Sequence, residues 1–369
     1  MALRVIIIKI PMMLAIVLML ALVFTFSNAD TVSAPYWSDG DANQAGFRSP
    51  VVAADAIVSD VFPESTDPPL GNMDDHEAKA ELPEKTPEIP EISDYITVHM
   101  DDYSVFQGSL VLINHDHSYE IPNKNDFVNL AREKTESYKV FGEDMLLSAK
   151  VIAPLNNMMD AFCAETGRDN ITVRSAFRDY AKQQEIVNEY IALVGMNEAT
   201  RWAALPGHSE HHAGLAVDLG VYADGEVGVF INTGVNSWFV QNSWKYGFIL
   251  RFPTDKSDIT KTAYEPWHYR YVGVPHAYIM HLNDQCFEEY IESIAEFTWA
   301  EPLNVEYEDD LYSIYFTRSV DIDIPFDCEF EISGNNIDGF IVTIKYSPQA
   351  GADFGEGGFD DALGVGGVD

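Results

Sequence analysis

Basic residues are scarce in this chain: 22 Lys and Arg stand against 59 Asp and Glu, a formal net charge of −37 over 369 residues. That balance excludes nucleic-acid binding, because neutralising phosphates takes clustered Lys and Arg. It also excludes adhesion to anionic lipid by charge. Cysteine is nearly absent as well, with Cys163, Cys286 and Cys328 an odd number that carries no zinc-finger spacing. They imply no disulfide framework and no thiolate metal site. Cys163 and Cys286 fall on apolar stripes of predicted helices and read as buried thiols, not as nucleophiles.

What the chain does have is concentrated in two stretches. Residues 206–220 read Pro-Gly-His-Ser-Glu-His-His-Ala-Gly-Leu-Ala-Val-Asp-Leu-Gly, and residues 265–268 read Glu-Pro-Trp-His. A catalytic zinc takes three protein ligands from His, Asp and Glu and keeps a fourth position open for water. His211, Asp218 and His268 supply that set, and Glu265 is a spare carboxylate beside the last ligand, suited to act as a base. Residues 215–219 alternate with period 2, which puts Leu215, Val217 and Leu219 on one face and Asp218 on the other. Pro266 disfavours a helix across 265–268, and residues 268–272 are aromatic and β-branched, so a strand is expected there. The pattern therefore differs from the helical H-E-x-x-H arrangement of other zinc peptidases.

Upstream, residues 171–177 read as a strand, and Asp179 as the N-cap of a helix over 180–194. Arg178 is thereby set at the strand-to-helix junction. A guanidinium beside a helix N-terminus is a good carboxylate receptor, through bidentate bonding and the helix dipole.

Ser209-x-His211-x-x-Gly214-x-Ala216-x-Asp218, with Glu265-x-x-His268 after it and Ser175-Ala176-Phe177-Arg178-Asp179-Tyr180 before it, resembles the VanY-type D-alanyl-D-alanine carboxypeptidases of the M15 metallopeptidase family. The likeness covers about residues 100–290. It implies a bacterial cell-wall enzyme that trims the C-terminal residue of peptidoglycan stem peptides. It further implies Zn2+ on His211, Asp218 and His268, Glu265 and Arg178 as catalytic residues with Glu265 the base, and Arg178, Gln183 and Ser209 in contact with substrate. The family often has Ser where this chain has Asp179, which alters the polarity beside the carboxylate site. His208 and His212 match no ligand position. The alternatives are L,D-carboxypeptidase or D,D-dipeptidase action on the same substrates, or a non-catalytic zinc-containing wall-binding module.

The remaining segments set the organisation. In residues 1–29, Arg4 and Lys9 precede an apolar run over 10–26 and a small-x-small end at Ser27-Asn28-Ala29, a signal peptide or an N-terminal membrane anchor. Membrane contact is expected through this segment alone, with the rest exported to the cell envelope as a monomer. Residues 30–94, acidic and rich in proline, read as a disordered linker. A zinc carboxypeptidase domain is expected over 95–297, a small β module over 298–348 and a flexible Gly-rich tail over 349–369. Within the domain, residues 110–114 read as a strand, His115 and His117 as loop residues, and residues 276–294 as one amphipathic helix. The expected fold is α+β: a small, mainly antiparallel sheet flanked by helices, as in the M15 and hedgehog-like peptidases.

Overall fold

The computed structural model describes residues 94–120 and 126–346, together with Ile89. The expected N-terminal segment, nearly all of the acidic linker and the Gly-rich tail lie outside the described residues. Among the described residues, no helix is long and apolar enough to cross a membrane.

In chain order the elements are β1 (Tyr95–His99), β2 (Phe127–Asn129), β3 (Lys139–Val140), β4 (Leu146–Ser148), helix α1 (Ala149–Thr166), β5 (Ile171–Ser175) and helix α2 (Tyr180–Val194). There follow β6 (Ala216–Ala223), β7 (Glu226–Val229), β8 (Phe248–Leu250), β9 (His268–Tyr271), and helices α3 (Val274–Asn283) and α4 (Phe287–Ile294). The chain closes with β10 (Leu303–Tyr307), β11 (Asp310–Thr317), β12 (Asp321–Pro325), β13 (Glu329–Gly334) and β14 (Phe340–Tyr346).

The central sheet runs β3-β5-β6-β9-β8, with β7 on β6. Only the β3–β5 pair is parallel; the others are antiparallel, as the α+β reading expects. α1 covers this sheet because Val151, Leu155, Met158, Met159 and Phe162 recur at helical spacing and are all buried. They pack with Ile171, Val173, Val217 and Leu219 in one core. Each such side chain contributes about 1.5–3 kcal/mol by leaving water. Gly167, in the left-handed region at φ 70°, ends the helix. The expected helix over 180–194 forms with those bounds, and the Asp179 carboxylate accepts the Lys182 amide at 2.9 Å as its N-cap.

The C-terminal strands β10-β11-β14-β13 form a second sheet, and β1 pairs with β12 as a separate ribbon. Alternation along β11 divides the side chains between two faces. Tyr312, Ile314 and Phe316 share a core with Phe287, Ile291 and Ile294 of α4, while Tyr315 joins Ile322 and Ile324 under the ribbon.

Two local expectations fail for identifiable reasons. Residues 110–113 are buried and Asn114 half-buried, but they form no strand, because scattered partners, most of them side chains, replace a ladder. Arg270 donates to Ser109 O and Val111 O, Asn336 donates to Leu112 O, and Ser333 Oγ accepts the Leu110 amide. The expected helix over 276–294 is two helices, since Asp284 adopts φ 54° and Cys286 starts a new capping box with Glu289. Cys286 is buried and burial pushes its thiol up to about 11, while Cys163 is half-buried; both are free thiols.

Candidate active site

Three adjacent elements carry the expected metal ligands. His211 lies in a short 3-10 turn, Glu210–Ala213, that closes at Gly214 with φ 63°. A Cβ at Gly214 would stand 2.5 Å from the Phe127 ring, so both the backbone angle and the space require glycine. Asp218 is on β6 and His268 opens β9, and the two are register partners. Glu265 sits one turn earlier: the His268 amide donates to Glu265 O at 3.2 Å, with Pro266 at the turn position its fixed φ suits. That turn folds Glu265 back on His268, leaving Oε2 3.7 Å from Nδ1.

The donor atoms of His211, Asp218 and His268 lie within 4.8 Å of one another, and all three residues are buried. His211 Nε2 is 3.1 Å from Asp218 Oδ2, and His268 Nδ1 is 3.0 Å from Asp218 Oδ1. Ligands on a tetrahedral zinc stand about 3.4 Å apart for bonds of about 2.1 Å, so little movement is needed to accommodate a metal. The Ala176 carbonyl can only accept, so His211 Nδ1 donates to it at 2.6 Å and Nε2 is left bare toward Asp218. These three groups are a donor set that fits a divalent cation, and Glu265 stands beside them.

Electrostatics point the same way. Burial pushes the Glu265 carboxyl up to about 8, with His268 pulling it down and Asp218 pushing it further up. Asp218 stays well below the usual carboxylate range despite its burial, because His211 and His268 both bond to it. Two buried carboxylates this close favour a nearby positive charge.

Arg178 reaches the same pocket. Its guanidinium donates to Gln183 Oε1 at 2.8 Å, to Ser175 Oγ at 2.9 Å and to Asp218 Oδ2 at 3.3 Å. Gln183 uses its other end to donate to Ala204 O at 2.6 Å, so its amide bridges Ala204 and Arg178 and holds the guanidinium in place. Ser209 is buried next to the ligand turn, as its N-cap. His212, matched to no role in the sequence, accepts the Gly207 amide at Nε2 and donates from Nδ1 to Arg178 O at 2.6 Å. It thereby ties the ligand turn to the strand-to-helix junction. His115 and His117 lie in the loop after the buried segment, and His117 bonds to Asn114.

A buried ion network under the site escaped the sequence reading. Glu210 Oε1 accepts Arg251 Nε and Arg270 Nη1, each at 2.8 Å, and Glu210 Oε2 lies 3.3 Å from His268 Nε2. Burial raises the Glu210 carboxyl, but the Arg251 and Arg270 guanidiniums override it and hold the group below the usual range. Arg251 is also gripped by both oxygens of Glu288, at 2.8 and 2.7 Å. One signal was available: Arg270 lies two residues after His268 on a strand, hence on the same face.

The family model for VanY D-alanyl-D-alanine carboxypeptidase matches residues 144–274, the span that holds all seven candidate site residues. The D-alanyl-D-alanine carboxypeptidase of Enterococcus faecium is 33% identical over 246 residues, covering 65% of this chain and 76% of that protein. The bifunctional D-Ala-D-Ala dipeptidase and D-Ala-D-Ala carboxypeptidase VanXYC of Enterococcus gallinarum is 34% identical over 131 residues, 34% of this chain and 69% of its own. Among solved structures, the vancomycin resistance D,D-dipeptidase VanXYg, in complex with a D-Ala-D-Ala phosphinate analog, is 30% identical with a TM-score of 0.62. That match covers 69% of this chain and 100% of the other.

Proposed function

The chain belongs to the VanY family of D-alanyl-D-alanine carboxypeptidases, and from that premise we propose how its residues divide the work. The enzyme removes the C-terminal residue from peptidoglycan stem peptides ending in D-Ala-D-Ala, at the cell envelope. The convergence of His211, Asp218 and His268 beside the buried Glu265 is the observation that carries this reading. Export rests on residues 1–29, whose basic start and apolar run suit a signal or an anchor.

His211 Nε2, an Asp218 oxygen and His268 Nδ1 would hold a zinc ion, which supplies Lewis acidity toward the scissile carbonyl and a water. Glu265 takes the proton from the attacking water and delivers it to the leaving amine, the two halves of general base and general acid work. Burial raises the proton affinity of this carboxyl and a cation beside it would lower it, so the two influences oppose one another at the group that must both accept and release a proton. Arg178 pairs with the free carboxylate of the substrate, and Gln183 keeps its guanidinium aimed. Ser209, at the start of the ligand turn, borders the bound peptide.

D,D-dipeptidase activity is the second reading, favoured by the likeness to a D,D-dipeptidase structure. Incubating the protein with defined tri-, tetra- and pentapeptide stems and with free D-Ala-D-Ala, then identifying the products, separates the readings. Release of one D-Ala from the pentapeptide supports the carboxypeptidase assignment. Cleavage of the dipeptide alone replaces it with the dipeptidase, and cleavage of the tetrapeptide alone with an L,D-carboxypeptidase.

A further inference from the structure

Both imidazole nitrogens of His268 face carboxylates: Nδ1 faces Asp218 at 3.0 Å and Nε2 faces Glu210 at 3.3 Å. A histidine can offer a metal either nitrogen, and the choice is set by what the other nitrogen bonds to. Glu210 is unusually well fixed for making that choice. Its Oε1 is taken by Arg251 Nε and Arg270 Nη1, which leaves Oε2 turned to the ring. Neither guanidinium is free to move: Arg251 is clamped by Glu288, and Arg270 donates to the Ser109, Val111 and Tyr271 carbonyls. The Phe287 ring packs against both, with its centroid 5.5 Å from the Arg251 guanidinium carbon and 4.9 Å from that of Arg270. Both arginines are fully buried.

We propose that Glu210 is a positioning residue for the metal centre: by accepting the Nε2 proton of His268 it presents Nδ1 to the ion, with Arg251 and Arg270 locking the carboxylate in place. The inference rests on the zinc reading above. Glu210 would act through His268, since its own contacts are with that ring and the two guanidiniums. Its role follows from the split between its two oxygens, one given to the cations and the other to the ring.

The test uses the full-length protein as wild type, Glu210→Gln, Glu210→Ala and, as a control for loss of an ion pair in the same network, Glu288→Gln. Zinc affinity is read by chelator competition, and the ligand field by the visible spectrum after cobalt substitution. The His268 ring is read by nitrogen-15 NMR of zinc-loaded, histidine-labelled protein. Wild type should show a slowly exchanging Nε2 proton on His268. Glu210→Ala should lose that protection, shift the cobalt bands and bind zinc about 10- to 100-fold more weakly, the usual worth of a partner behind a ligand. Glu210→Gln keeps an acceptor of the same size and should fall between the two; it decides the matter if the alanine variant does not fold. Glu288→Gln, which loosens Arg251 but leaves Arg270 on Glu210, should cost zinc affinity less than Glu210→Ala and should keep the His268 Nε2 proton protected. Loss of the Nε2 proton's protection in Glu288→Gln as complete as in the Glu210 variants, with equal weakening of zinc binding, would reduce the effect to general loosening and overturn the proposal. Wild-type zinc affinity and an unaltered ring in the Glu210 variants would overturn it too. Absence of zinc binding in wild type would sink the metal reading itself.

Discussion

Asp218 and His268 stand directly opposite one another on antiparallel strands, and their side chains meet with Oδ1 3.0 Å from Nδ1. The pairing is set by sheet register, so it is as well specified as the core. A one-residue slip of β9 would turn His268 to the other face, and with it Tyr269, a core residue that is fully buried. Site geometry and fold stability are therefore enforced by the same hydrogen bonds.

Metal binding should depend on all three donors. Wild-type protein is expected to hold one zinc, and His211→Ala, Asp218→Ala or His268→Ala should each weaken it by more than about a hundredfold, since even partners behind the ligands are worth 10- to 100-fold. Elemental analysis after dialysis against a chelator reads this directly. Full occupancy in His268→Ala would remove that residue from the centre.

Glu265→Gln separates binding from chemistry. The amide keeps the shape but cannot take a proton, so zinc content should hold while kcat falls by about 10²- to 10⁴-fold. Near-normal turnover in this variant would assign the base to another group.

Arg178 should govern recognition of the chain end. Losing a charge-assisted contact costs roughly 1.5–3 kcal/mol, about 10- to 150-fold in kcat/KM if the contact persists through the transition state. Arg178→Ala should show that loss, and Arg178→Lys an intermediate one, because lysine keeps the charge without the planar fork. A pentapeptide amidated at its C-terminus is the diagnostic substrate: wild type should discriminate against it, and Arg178→Ala should not. An acid-to-amide preference that survives in the alanine variant would exclude Arg178 as the receptor.

Acid should loosen the contact between α3 and the C-terminal sheet through His276. This buried ring bonds at Nδ1 to Tyr290 OH at 2.6 Å and at Nε2 to Thr343 Oγ1 at 3.0 Å. Burial lowers its pKa to about 4, with the charge of Glu331 opposing. The unfolded chain, titrating near 6.5, then binds more protons than the folded one between those values. The stability from this group is complete above about pH 6.5 and declines by up to about 3 kcal/mol as the pH falls toward 4. Urea unfolding at pH 7 and pH 4.5 should show a smaller pH dependence for His276→Gln than for wild type. Identical slopes would clear His276 of any part in acid lability.

Elements whose signals are local could be read directly from the chain. The helix Tyr180–Val194 has its N-cap and apolar stripe in one continuous stretch, and the period-2 run around Asp218 becomes a strand with its neighbours buried. His211, Asp218, Glu265 and His268 could be grouped because zinc chemistry restricts both residue types and their number. Tertiary structure alone decided what lies behind them. Residues 110–114 carry the composition of a strand, yet Arg270, Ser333 and Asn336 satisfy their backbone groups from outside. Gln183 and His212 hold Arg178 through contacts that no spacing rule encodes. No local pattern marks Glu210, which folding buries between two arginines that follow 41 and 60 residues later. The physical reason is common to all of these: propensity and periodicity are properties of neighbours along the chain. Pairing a buried charge depends on which distant side chains arrive at the same desolvated place, and only the packed core fixes that.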